Sequence, residues 1–174
     1  MKPTIVASKC LGFAHCRYNG ITIYNDFIEY LRDRVVFITI CPETEIGLNV
    51  PREPLQIVSK QGSLCLVQPA TGLDLTKTMM HLARTFLDSI PEIDGFILKS
   101  RSPSCAVRDA KIFSIGGYRT RVYEGAGFFG SMVWKRFGHL PIEDEKRLEN
   151  QGQREDFLRR LYAQTHVRLK VRRI

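Results

Sequence analysis

Three short apolar runs, each leading to a cysteine, constrain this chain more than any other feature. Residues 4–8 (Thr-Ile-Val-Ala-Ser) precede Cys10, residues 35–40 (Val-Val-Phe-Ile-Thr-Ile) precede Cys41, and residues 95–99 (Gly-Phe-Ile-Leu-Lys) lead toward Cys105. Runs this short and this apolar suit strands buried on both faces, the habit of parallel sheets. In an open α/β sheet the carboxyl ends of parallel strands converge on one crevice, so these three cysteines, distant in sequence, are expected to meet.

The segments between them support such a sheet. Ile23, Tyr24, Phe27, Ile28 and Leu31 recur at helical spacing over residues 22–33, between the first two strands, which makes a strand–helix–strand unit. Residues 42–54, dense in Pro and Gly, read as loop, and residues 55–58 and 64–68 form a β-hairpin around Lys60-Gln61-Gly62-Ser63. Asp74 is placed to cap a helix with Leu75, Met79, Leu82, Phe86 and Ile90 on one stripe, closed by Pro91. Beyond Cys105 the pattern predicts a short strand at 111–114, a turn at Gly116-Gly117 and a helix at 128–137 opened by Glu124-Gly125-Ala126-Gly127. An acidic stretch at 141–150, extended or irregularly helical, precedes a helix at 153–166 with Phe157, Leu158, Leu161 and Tyr162 inward. The sum is a three-layer α/β fold: a mostly parallel, Rossmann-like sheet with an inserted β-hairpin and a C-terminal helical extension. The α/β domain is expected over residues 1–137 and the basic helical extension over residues 138–174.

A chain of 174 residues with 44% hydrophobic content is sized for one core. No apolar run approaches the ~18 residues that span a bilayer, and Met1-Lys2-Pro3 leads directly into a strand, so a soluble, cytoplasmic protein with no membrane partner is expected. Five cysteines, an odd number, argue against a disulfide framework and for reduced thiols. The net charge of +8 is concentrated at the end: residues 154–174 hold seven Lys/Arg against Glu155 and Asp156. Such a segment either makes a weak, salt-sensitive contact with nucleic-acid phosphates or is the solvated face of an amphipathic helix.

Three soft thiolates at one crevice are the donor set of an iron-sulfur cluster or of zinc, and a set of three leaves one coordination position open, as catalytic sites do. Cys65 alternates within the hairpin and reads as packing. Cys16 follows Cys10 by six residues in the loop that starts the first helix. As a fourth ligand it would close the site; it is assigned instead to the loop beside it. Glu43, two residues after Cys41, is the candidate general base and acid, with Glu45 its local competitor.

Taken together, Ser8-Lys9-Cys10-Leu11-Gly12, Cys16-Arg17-Tyr18-Asn19-Gly20, Cys41-Pro42-Glu43 and Lys99-Ser100-Arg101-Ser102-Pro103-Ser104-Cys105 resemble the thiouracil desulfidase (TudS) family over roughly residues 3–137. These are iron-sulfur enzymes that remove sulfur from thionated pyrimidines. From about Phe128 onward the chain also resembles the start of the helical second domain carried by longer family members. The resemblance implies a 4Fe-4S cluster held by Cys10, Cys41 and Cys105 with the fourth iron open to the substrate's sulfur. It implies hydrolytic release of hydrogen sulfide from a thiouracil-type base or nucleotide, as in catabolism of RNA thionucleotides, with Glu43 and Ser102 catalytic. Ser104 is placed to hydrogen-bond cluster or pyrimidine, Arg17, Lys99 and Arg101 to hold a phosphate, and Asn19 to read the base edge. Ala106 departs from the glycine usual after the third cysteine of the family motif.

Two other classes compete: a non-enzymatic metal protein in which Cys10, Cys16, Cys41 and Cys105 close around zinc or a cluster, and a basic RNA-binding module. The run Gly125-Ala126-Gly127-Phe128-Phe129-Gly130 has the dinucleotide-binding spacing but follows no strong buried strand, so it reads as a helix start presenting amides to the site or to a phosphate. His15, His81, His139 and His166 form no ligand-spaced pair, and Trp134 reads as helix packing.

Overall fold

Ile5, Val6 and Ala7 in one strand and Phe96, Ile97 and Leu98 in another are sealed from solvent, as strands with helices on both sides must be. The computed structural model describes residues 2–116 and 119–171. In chain order it contains β1 (Thr4–Ser8), α1 (Asp26–Leu31), β2 (Val36–Ile40), the short helix α2 (Pro42–Glu45), β3 (Gln56–Lys60), β4 (Ser63–Gln68), β5 (Leu73–Asp74) and α3 (Thr76–Ser89). These are followed by β6 (Gly95–Leu98), β7 (Ala110–Gly116), β8 (Arg119–Gly125), α4 (Phe128–Phe137), β9 (Ile142–Asp144), a 3-10 turn (Arg147–Glu149) and α5 (Gln151–Val171). Among the described residues no helix is long and apolar enough to cross a membrane.

The first sheet has the order β2-β1-β6-β9 with every neighbouring pair parallel. Phe27, Ile28 and Leu31 of α1 and Phe157 and Leu161 of α5 pack with Ile5 and Ile97 on one face. Ala83 and Leu87 of α3 and Phe129 and Val133 of α4 pack with Val6, Phe96 and Leu98 on the other. Three layers result, as expected. The hairpin is more than an insertion: β3 and β4 belong to a second sheet, β5-β4-β3-β7-β8, in which β3 and β7 alone run parallel. That hairpin closes through Gln61 and Gly62 at φ +50° and +83°, the left-handed pair a two-residue turn requires. The turn expected at Gly116-Gly117 lies partly outside the described residues.

The chain after 137 is built into the first sheet. Strand β9 hydrogen-bonds to β6 from Phe96↔Ile142 to Leu98↔Asp144, and buried Asp94 takes Thr4 N–H at 2.7 Å and the α5 residue Arg168 at 3.0 Å. Helix α5 begins earlier and runs further than the periodicity predicts, and Tyr162 is exposed because it stands a residue, about 100° of helix, beyond Leu161. Trp134 is likewise exposed, on the face of α4 turned from Phe129 and Val133.

Helix α1 is shorter than its apolar spacing suggests, because Asn25 stops it: Oδ1 accepts from Phe27 N and Ile28 N, both at 3.1 Å. Asn25→Ala should therefore lower unfolding free energy by about 1 kcal/mol in urea titration, the usual value of such a cap.

Candidate active site at the carboxyl ends of the parallel strands

Because β2, β1 and β6 are adjacent and parallel, their carboxyl ends share one edge of the first sheet. A crevice of about 480 Å³ opens there, and Cys10, Cys16, Cys41 and Cys105 all line it. All four thiols are buried and free, whereas Cys65 lies apart in β4. Cys10 follows β1 where the chain folds back: Leu11 N donates to Ser8 O and Ala14 N to Lys9 O, with Gly12 at φ +85°. Cys41 starts α2, with Pro42 in its first turn. Cys105 is set by Ser102, whose Oγ accepts from Ser104 N at 3.2 Å and Cys105 N at 3.0 Å, just after Arg101 at φ +57°.

The Cys105 loop is braced from behind by the glycine-rich start of α4. Gly127 N donates to Ala106 O, Phe128 N to Pro103 O, and Phe129 N and Gly130 N to Ser104 O, over 2.8–3.1 Å. The expectation that these amides face a phosphate or the site is corrected: they are spent on carbonyls of residues 103–106. The glycines of that motif serve close approach of helix to loop. Ala106 accepts the glycine departure without strain, since Gln61 and Arg101 are the non-glycine residues with left-handed backbone among those described.

The neutral form of the Cys16, Cys41 and Cys105 thiols is favoured in the metal-free chain. Cys41 Sγ donates to Cys16 O at 3.5 Å, and interaction with the Cys10 side chain leads in pushing the Cys16 thiol up to about 11. Burial pushes Cys105 up to about 12. Contact with Cys16, then burial, raises Cys41 well above the usual thiol range. Buried sulfurs that resist a shared negative charge release their protons when a cationic core neutralises them. Soft, buried donors on separate strand ends suit an iron-sulfur core. Among the described residues no three His, Cys, Asp or Glu side chains gather for a single metal ion. The four histidines are exposed.

Glu43 lines the same crevice with its carboxylate fully engaged on one side. Arg52 donates to Oε2 through Nε at 2.8 Å, with Nη2 in ion-pair contact at 2.7 Å, and Ser104 Oγ donates to Oε1 at 2.9 Å. Ser104 is itself fully buried and absent from the lining, so its expected contact with cluster or pyrimidine is replaced by this bond to Glu43. Ser102, Arg17 and Arg101 line the crevice. Lys99 does too, but its ammonium donates to Ser100 O, Ser100 Oγ and Glu145 Oε1, at 2.8, 3.1 and 2.5 Å. Those contacts occupy its three N–H groups, leaving none for a phosphate. Asn19 stands outside the lining, its Oδ1 accepting from Ile21 N in an exposed turn.

The family profile of 2-thiouracil desulfurase matches residues 5–145 of the chain. The chain belongs to the 2-thiouracil desulfurase family. Among relatives, the uncharacterized protein YbbK of Bacillus subtilis (strain 168) is 37% identical over 149 residues, covering 82% of this chain and 96% of YbbK. The solved structure of the 4Fe-4S-dependent thiouracil desulfidase TudS superposes with a TM-score of 0.61 at 27% identity, over 85% of this chain and 94% of that one. The motif resemblance to the TudS family is thus shown.

The desulfurase match ends at Glu145, which follows β9 as the cysteines follow their strands. Sequence reasoning passed over Glu145 because Ile142-Glu143-Asp144 is too short and polar to announce a strand. It also passed over Arg52, which sits in a loop with no motif. The signal for Glu145 was positional: a fourth parallel strand would have placed it at the shared edge.

Proposed function

We propose that this member of the desulfurase family is a 4Fe-4S-dependent thiouracil desulfidase that hydrolyses the carbon–sulfur bond of a thionated pyrimidine, as base or nucleotide. The observation that carries the reading is the meeting of Cys10, Cys41 and Cys105 with Glu43 in one crevice. Bound through those cysteines, the cluster supplies a Lewis acid with one iron free for a soft thione sulfur.

The chain's own groups supply the rest. Glu43 takes a proton from the water that attacks the carbon bearing sulfur, and delivers it as the carbon–sulfur bond breaks. Water plus thione gives the oxo-pyrimidine and hydrogen sulfide, with no net electron transfer. Ser102, whose oxygen accepts from two amides, keeps its hydroxyl proton to orient the substrate. Arg17 and Arg101, at the lining, suit a substrate phosphate. Lys99 instead holds Glu145. The match ends short of the basic segment, so it lends the expected nucleic-acid contact no support.

Anaerobic reconstitution with iron and sulfide, followed by incubation with 2-thiouracil, 4-thiouracil and their nucleotides, tests the proposal. The expected result is loss of near-ultraviolet absorption and release of stoichiometric sulfide from at least one of them. An iron-loaded protein inert toward all four would overturn it.

A further inference from the structure

Arg52 belongs to no motif, yet its side chain is only 5% exposed and reaches three parts of the site. Besides its Nε–H bond and Nη2 ion-pair contact to Glu43 Oε2, Nη2 donates to Cys16 O at 3.0 Å and Nη1 to Asn49 O at 3.2 Å, while its backbone N–H meets Tyr18 O at 2.7 Å. The loop carrying Cys16 and the helix carrying Glu43 are therefore registered by one guanidinium. Ser104, beside Cys105, ties in the third loop through Oε1.

A carboxylate offers about four acceptor sites. Arg52 covers Oε2 with the Nε–H bond and the Nη2 ion-pair contact, and Ser104 fills one site on Oε1. Oε1 is left as the oxygen not covered by the guanidinium, with an acceptor site still open, in a residue that lines the crevice. We infer that Arg52 is a positioning residue that fixes Glu43 so that Oε1 alone accepts the proton of the attacking water. This rests on the proposed desulfidase reading and adds to it the atom and its orienting partner.

The test pairs Arg52→Met and Arg52→Lys with Glu43→Gln. In urea denaturation of the metal-free chain, Arg52→Met and Glu43→Gln should each lower the unfolding midpoint, and the double variant should lose less than the two losses combined. In reconstituted protein, Arg52→Met should lower kcat per bound iron roughly 10- to 100-fold with KM within about threefold. Arg52→Lys, which keeps the charge but not the fork, should recover part of that loss. Adding Arg52→Met to Glu43→Gln should cost no further activity. Full kcat per iron in Arg52→Met, or additive losses in the double variant, would overturn the positioning role while leaving desulfidase activity intact. An inert wild type defeats the proposed function itself, and the urea cycle then still reports whether the pair is coupled.

Discussion

Glu43→Gln is expected to lower kcat for desulfuration by roughly 10²- to 10⁴-fold, the usual contribution of a positioned general acid–base group. The glutamine keeps one acceptor oxygen, for Arg52, and turns its amide toward Ser104, whose hydroxyl can rotate to accept, but it cannot take a proton from water. Stopped assays per bound iron separate this from loss of cofactor, since Glu43 follows Cys41 by two residues and a misfolded loop would show as missing iron. Glu43→Ala is the less informative change: leaving the buried guanidinium of Arg52 unpaired costs about 3–5 kcal/mol on its own. Wild-type turnover in iron-loaded Glu43→Gln would contradict the acid–base assignment.

Gly130→Ala is expected to destabilise the fold strongly for a single added methyl. Its Cβ would stand 2.2 Å from Ala106 O and 2.6 Å from Cys105 O, both backbone atoms, so relief requires moving helix or loop. Overpacking of this kind costs about 1–3 kcal/mol or more, and the movement acts on the loop that carries Cys105. Urea midpoint and bound iron should fall together. Gly152→Ala is the control: its nearest neighbour is a side-chain oxygen at 3.4 Å and it sits within α5, where alanine is the better helix former. Equal stability of Gly130→Ala and the parent would show that the helix start does not brace the loop.

What could be read from the sequence was what local pattern and topology determine. Of the three cysteine-tipped runs, β1 and β6 were legible because a strand buried on both faces must be apolar throughout; β2 shares the apolar pattern but is the edge strand, with Val36 exposed, and parallel order puts the three ends together. The helix at Phe128–Phe137 was placed to the residue by its flanking glycines. The purpose of those glycines was not, because a close approach to residues 103–106 leaves no trace in either segment alone. Arg52 with Glu43, and Lys99 with Glu145, are pairs joined only by the tertiary fold. Lys99 shows the consequence: a lysine at the site edge reads as a phosphate ligand until its three donors are found occupied. Helix α1 was overextended because Ile23 and Tyr24 keep the helical period while Asn25 ends it.

In the proposed desulfidase, Cys10, Cys41 and Cys105 hold a cluster whose fourth iron takes no protein thiolate. Iron and sulfide analysis with Mössbauer spectroscopy on anaerobically reconstituted parent, Cys16→Ser and Cys41→Ser tests it most directly. About four irons per chain are expected in the parent and in Cys16→Ser, with one iron site spectroscopically distinct from the others, and loss of the cluster in Cys41→Ser. Equal loss in Cys16→Ser, or a parent whose irons are all thiolate-ligated, would contradict it.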